Sequence, residues 1–190
     1  MKELFENFRQ YLDTDDNEVV GLSYSQMVQE LNKRMPRAKL ALTNNPIQDR
    51  SYDQGEALKP SGLWYSCGTD WLKYVETELP EFQQDYTMAY AIGYASNKML
   101  RVTSPDQAER VSFRYKILGT NQIDWNKVST KYSGIECCPY RKDEIPFDVY
   151  RTAVWYLAFD VPSGCIWDTS ILTTKRLVAE LKEDGWEVYK

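Results

Sequence analysis

Residues 59–66, KPSGLWYS, set two adjacent aromatics directly behind a Pro-Ser-Gly turn. Successive side chains on a strand point to opposite faces, so Leu63 and Tyr65 share one face and Trp64 and Ser66 the other. The stretch is therefore either a strand with a wet aromatic face or the wall of a binding platform. Tyr65 and Ser66 cannot both reach one cleft from a regular strand; that needs a bulge. Cys67 and Gly68 follow, and Thr69 stands as N-cap to a helix, TDWLKYVETEL, which Pro80 ends.

The same reading extends to both sides. Ser23 and Gln26 form a capping box, with Leu22 and Met27 as a staple, opening a helix that runs to Met35 before Pro36. Leu4, Phe5, Phe8, Tyr11 and Leu12 repeat at helical spacing, which predicts an amphipathic helix over 2–13 and no signal peptide. RAKLALT (37–43) alternates as a strand, and a long loop rich in Asn, Asp, Pro and Gly follows. YTMAYAIGY and MLRVTS read as strands, SPDQAERVSFRYKI and IDWNKVSTKY as helices, and SGIECCPY as a strand stopped by Pro139. RTAVWYLAFDV and SGCIWDTSIL are further strand candidates, and KRLVAELKEDGWEVYK reads as a closing helix followed by a last short strand. Strands and helices interleave without a regular β-α repeat, which favours α+β over a doubly wound sheet.

The chain has 190 residues, enough for one domain with a real core, and a net charge of -5. That charge does not advertise a broad nucleic-acid groove. No run approaches the ~18 apolar residues of a membrane span. There is no histidine, which excludes Ser-His-Asp and Cys-His nucleophilic sites and removes the commonest zinc ligand. Any acid–base work falls to Asp, Glu, Tyr, Lys or Cys. Four cysteines without a C-x-x-C pattern argue against a disulfide framework and for a reducing cytoplasm. Neither glycine-rich phosphate-binding motif is present, and Cys137 and Cys138, adjacent in a strand, are poor metal partners. No metal site is expected.

Glu136 is the second notable residue. In YSGIECCP it shares a strand face with Gly134 and Cys138, while Ile135 and Cys137 share the other. Such a carboxylate sits on a solvated sheet face or lines a cleft.

The order of parts, KPSGLWYS, then IDWNKVSTKYSGIE, then WYLAFDVPSGCIWD, resembles the mono-ADP-ribosyltransferase fold in its divergent toxin-like and phage-encoded branches. The resemblance spans about residues 40–172. It implies an α+β split β-sandwich core over 37–190, with residues 1–36 as a helical prefix of the same domain. It also implies that three strands meet in one cleft, the first giving a polar residue, the second an aromatic and a Ser or Thr, the third a catalytic Glu. Carried over, Glu136 is the catalytic carboxylate and NAD the co-substrate. Tyr65 and Ser66 take the second-strand positions, with Trp64 or Tyr65 stacking on nicotinamide; Thr43, Asn44 and Asn45 are the first-strand candidates for the ribose, and Arg50, from the loop, for the diphosphate. Gly134 stands where arginine-modifying members carry Glu or Gln, which points to another acceptor, protein or nucleic acid. The implied setting is bacterial or phage conflict in the cytoplasm, with a cognate antitoxin as a further partner. The rival reading is a non-catalytic binding protein or inhibitor in which Glu136 is structural. A nucleic-acid 2′-phosphotransferase on the same fold is disfavoured by the missing histidines.

Overall fold

In the computed structural model, which describes residues 19–189, the capping box written into SYSQ is closed. The Ser23 hydroxyl accepts from the Gln26 amide, and the Gln26 side chain accepts from the Ser23 N–H. Helix α1 (Tyr24–Arg34) follows, burying Tyr24, Met27, Val28 and Leu31 on one side. Before it lies β1 (Val19–Leu22), so this part of the expected prefix supplies a strand as well as a helix. The helix expected over 2–13 lies outside the described residues.

The chain then forms β2 (Lys39–Thr43), a short β3 (Glu56–Ala57), β4 (Leu63–Cys67) and α2 (Asp70–Thr77). Next come β5 (Met88–Tyr94), β6 (Met99–Arg101), α3 (Pro105–Tyr115), β7 (Ile123–Asp124), α4 (Trp125–Ser129) and β8 (Gly134–Cys137). Two short helices, α5 (Phe147–Thr152) and α6 (Val154–Leu157), precede β9 (Ser163–Ile166), β10 (Leu172–Lys182) and β11 (Gly185–Val188).

Nine strands pair into one sheet in the order β1-β11-β10-β5-β2-β4-β9-β8-β6, and β3 and β7 pair separately. The sheet is antiparallel except where β6 joins β8. The molecule is thus α+β with a large, mostly antiparallel sheet. Among the described residues no helix is long and apolar enough to cross a membrane.

Two further segments differ from the sequence reading. Residues 151–161 form helical turns where a strand was expected. Their apolar run has no period that separates a buried strand from a buried helix, and here Trp155, Tyr156 and Phe159 are buried in one cluster. KRLVAELK is strand where a helix was expected. Its eleven-residue strand β10 pairs with β5 on one side and β11 on the other, through a two-residue turn at Glu183 and Asp184. Two neighbouring ladders outweigh a helix propensity of a few tenths of a kcal/mol per residue.

The faces of the sheet are unequally covered. On one face α1 and α2 pack over Leu40, Leu42, Ala89 and Val178. The helices α3 to α6 pack over Ile135, Cys137 and Cys165 on the same face. The opposite face carries a smaller cluster, including Ala41, Tyr65, Ile92, Met99 and Ile166, and the only buried carboxylate among the described residues.

Candidate functional site

The ladder aligns the site. Tyr65 on β4 pairs with Gly164 on β9, Gly164 pairs with Glu136 on β8, and Glu136 pairs with Arg101 on β6. Residues in such a row point to the same face. Gly164 is the reason Tyr65 and Glu136 touch. A methyl built on its α-carbon would lie 2.3 Å from the Tyr65 ring, so the bare backbone lets the phenol lie across β9. The Tyr65 hydroxyl then donates to Glu136 Oε2 at 2.9 Å.

Three further groups converge on that carboxylate. Lys39 of β2 donates its ammonium to Oε2, the Tyr94 hydroxyl of β5 donates to the same oxygen, and Arg101 reaches Oε1 at 3.0 Å. Lys39 also lies over the Tyr94 ring, 4.4 Å from its centre. Glu136 itself is 1% exposed, while Lys39 is 27% and Arg101 56% exposed at the side chain. The carboxylate forms the floor and the two cations and Tyr94 form a rim open to solvent. Burial disfavours the Glu136 charge, but the bonds from Lys39 and Tyr94, the Lys39 charge and the Tyr65 hydroxyl outweigh it. The net effect holds its carboxyl below the ordinary range. Burial, and then the charge of Glu136, push the Tyr65 phenol well above its usual value. The site is thus a buried carboxylate held by two phenols, an ammonium and a guanidinium.

Beside it, Cys67 at the end of β4 and Cys138 just past β8 are joined by a disulfide. The sequence reading expected no disulfide. One bridge is not a framework, but it is a correction, and its origin is topological. Strands β4 and β8 flank β9, and their ends meet just past Ser163, which no spacing in the sequence reveals. Cys67 Sγ lies 4.0 Å from Glu136 Oε2. Cys137, on the opposite face as expected, is a buried free thiol, as is Cys165.

The residues singled out from the sequence divide between two places. Tyr65 meets Glu136. Trp64 and Ser66 face the helices on the other side of the sheet, as strand geometry requires. Trp64 packs edge-on to Phe159 at 5.2 Å, with the Lys59 ammonium 5.6 Å from its ring centre. Ser66 is buried, and its hydroxyl accepts from the Trp71 N–H. It thus performs the capping expected of Thr69, whose own hydroxyl bonds Asn32. Thr43, Asn44, Asn45 and Arg50 gather with Trp64 around a separate cavity of about 610 Å³ at the ends of β2 and β4. Glu136 does not line it. Arg50 stacks on Tyr52, 4.1 Å from the ring centre.

Sequence reasoning missed Lys39, Tyr94 and Arg101. Lys39 did leave a signal: in RAKLALT it stands, with Arg37, as a cation on the face opposite Leu40 and Leu42. Comparison of the chain with protein-family models, with curated proteins and with solved structures gave no match.

Proposed function

We propose that the protein is an NAD-dependent mono-ADP-ribosyltransferase on a split β-sandwich core, with Glu136 as its catalytic carboxylate. One observation carries the reading. The first, second and Glu-bearing strands that the resemblance implies correspond to β2, β4 and β8, and they bring Lys39, Tyr65 and Glu136 into direct contact.

The chemistry suits these groups. The C1′–N bond of NAD breaks with its electron pair moving to the nicotinamide nitrogen, which thereby loses its positive charge. No general acid is needed, which fits a chain without histidine. The ribose becomes oxocarbenium-like, and a fixed carboxylate stabilises it, as one of the two carboxylates does in glycosidases. The partly exposed Tyr94 face, once Lys39 leaves it, holds the cationic ring, worth ~0.5–2 kcal/mol. A nucleophile on the acceptor then bonds C1′ and gives up its proton to solvent water. Lys39, partly exposed, is the group that must move off Oε2 for the sugar to approach. Gly134 leaves no room for an arginine-directing side chain: a methyl there would meet Met99 Sδ at 2.6 Å and the Cys165 carbonyl at 2.8 Å. The acceptor is therefore another protein side chain or a nucleic acid. The cavity at Thr43, Asn44, Asn45 and Arg50 is available to the rest of the dinucleotide. The setting proposed is bacterial or phage conflict inside a cell, opposed by a cognate antitoxin.

A second reading has its own support. Glu136 is almost wholly buried with both oxygens bonded, as a structural ion pair would be. On that reading the protein is a non-catalytic binder. Nicotinamide release from NAD, with and without cell lysate, separates the two. Wild type should release it and Glu136→Gln, checked for folding by its thermal transition, should not. If folded wild type neither releases nicotinamide nor binds NAD, the enzyme is lost and the binder stands.

A further inference from the structure

Glu136 Oε, Cys67 Sγ and Cys138 Sγ all lie within 4.8 Å of one another on one face of the sheet. In the disulfide the sulfurs are bonded to each other and cannot bind a cation. Reduced, they become two thiols beside the Glu136 carboxylate. We propose that reduction of Cys67–Cys138 creates a binding site for one thiophilic divalent cation, of the zinc type, with Cys67, Cys138 and Glu136 as its three protein ligands.

The geometry fits with little movement. Tetrahedral zinc with Zn–S of about 2.3 Å and Zn–O of about 2.0–2.2 Å sets neighbouring ligand atoms about 3.4–3.8 Å apart. Cys67 Sγ and Glu136 Oε2 are 4.0 Å apart. Opening the disulfide takes the two sulfurs from bonding distance toward the same spacing. Three protein ligands with a fourth position left to water is the arrangement of open zinc sites, unlike the closed four-ligand structural ones.

The electrostatics also fit. The Lys39 ammonium sits on Glu136 Oε2, so this oxygen is built to receive a cation. Lys39 is partly exposed and can turn outward when the metal takes its place. Arg101 stays on the other oxygen, Oε1, and orients the carboxylate as an outer partner of a metal ligand does. The other two cysteines, Cys137 and Cys165, are buried among the helices of the opposite face.

The reaction balances with a dithiol reductant. Two electrons and two protons pass to the Cys67 and Cys138 sulfurs, and the dithiol closes to its own disulfide. Metal binding then releases both thiol protons. The site is thus gated by redox state, and it shares Glu136 with the proposed NAD chemistry, so zinc binding is measured directly and not through activity.

Equilibrium dialysis against zinc, with native mass spectrometry, tests it without NAD. Protein reduced by a phosphine should bind one zinc per chain, and the oxidised protein none at this site. Cys67→Ser and Cys138→Ser should each abolish the stoichiometric binding. Glu136→Gln, with both thiols intact, should weaken it by more than the roughly 10–100-fold that loss of an outer partner causes. If a serine variant fails to fold, the oxidised wild type and Glu136→Gln still decide. Absence of zinc from the reduced wild type overturns the proposal. So does equal binding by the oxidised protein, and an unchanged affinity in Glu136→Gln removes the carboxylate from the site.

Discussion

Strand β4 has two faces, and its adjacent residues lead different lives. Tyr65 lies over a glycine and gives its hydroxyl to a buried anion. Trp64 and Ser66, one residue away on either side, meet packed helices, where one fills space against Phe159 and the other caps α2. The difference is made by the neighbours and not by the strand itself. On the first face β9 contributes no side chain at Gly164, leaving room for polar groups to meet. On the second, helices arrive from both halves of the chain and close over Ser66, while Trp64 stays partly open to the cavity at the ends of β2 and β4. Chemistry-bearing contacts therefore gather on the face with less helical cover.

The sharpest way to break this contrast is to remove the cation from the first face. Lys39→Met takes away the ammonium on Oε2 and leaves Glu136 buried with Arg101 as its remaining cation. Breaking a buried pair costs about 3–5 kcal/mol, so a loss near the lower end of that range is expected in denaturant unfolding at neutral pH. The pH dependence identifies the cause. Glu136 titrates below its ordinary value in the folded protein, so its contribution is complete above about pH 4.5 and fades as pH falls through the folded value. The gap between wild type and Lys39→Met should narrow in that acid range; a gap independent of pH would mean that the loss comes from packing.

Gly164→Ala attacks the same face sterically. The added methyl displaces the Tyr65 ring, at the roughly 1–3 kcal/mol typical of overpacking, and separates the phenol from Glu136. Combined with Tyr65→Ala it should cost much less than the sum of the two. Additive losses would show that the ring does not depend on the bare backbone of β9. The smallest effect belongs to the second face. Ser66→Ala removes the bond to the Trp71 N–H, and about 0.5–2 kcal/mol should be lost, as for an N-cap. Unlike the change at Lys39, this loss should persist unchanged into acid.

Much of the first half of the fold is legible in the sequence because its signals are local. The Ser23–Gln26 box, Ser104 before Pro105 and the alternation of RAKLALT each specify their element without help. The split of Trp64 and Tyr65 across β4 follows from strand geometry alone. What is not legible depends on pairing between distant segments. KRLVAELK reads as a helix until β5 and β11 are placed beside it. Glu136 stands out as a lone carboxylate, yet its partners Lys39, Tyr94 and Arg101 come from three other strands. Only the strand order brings them together. The same order, through Gly164, selects Tyr65 over Ser66 as the neighbour of Glu136.

The disulfide beside this site also changes how the chain is connected. Cys67 and Cys138 are 71 positions apart, so the backbone between them, from α2 to β8, is a covalent ring with two tails. The exposed turn at Leu118 lies on that ring, far in sequence from its closure. A single cut there opens the ring without dividing the molecule. The two halves that carry Lys39 and Glu136 part company only when cleavage and reduction coincide.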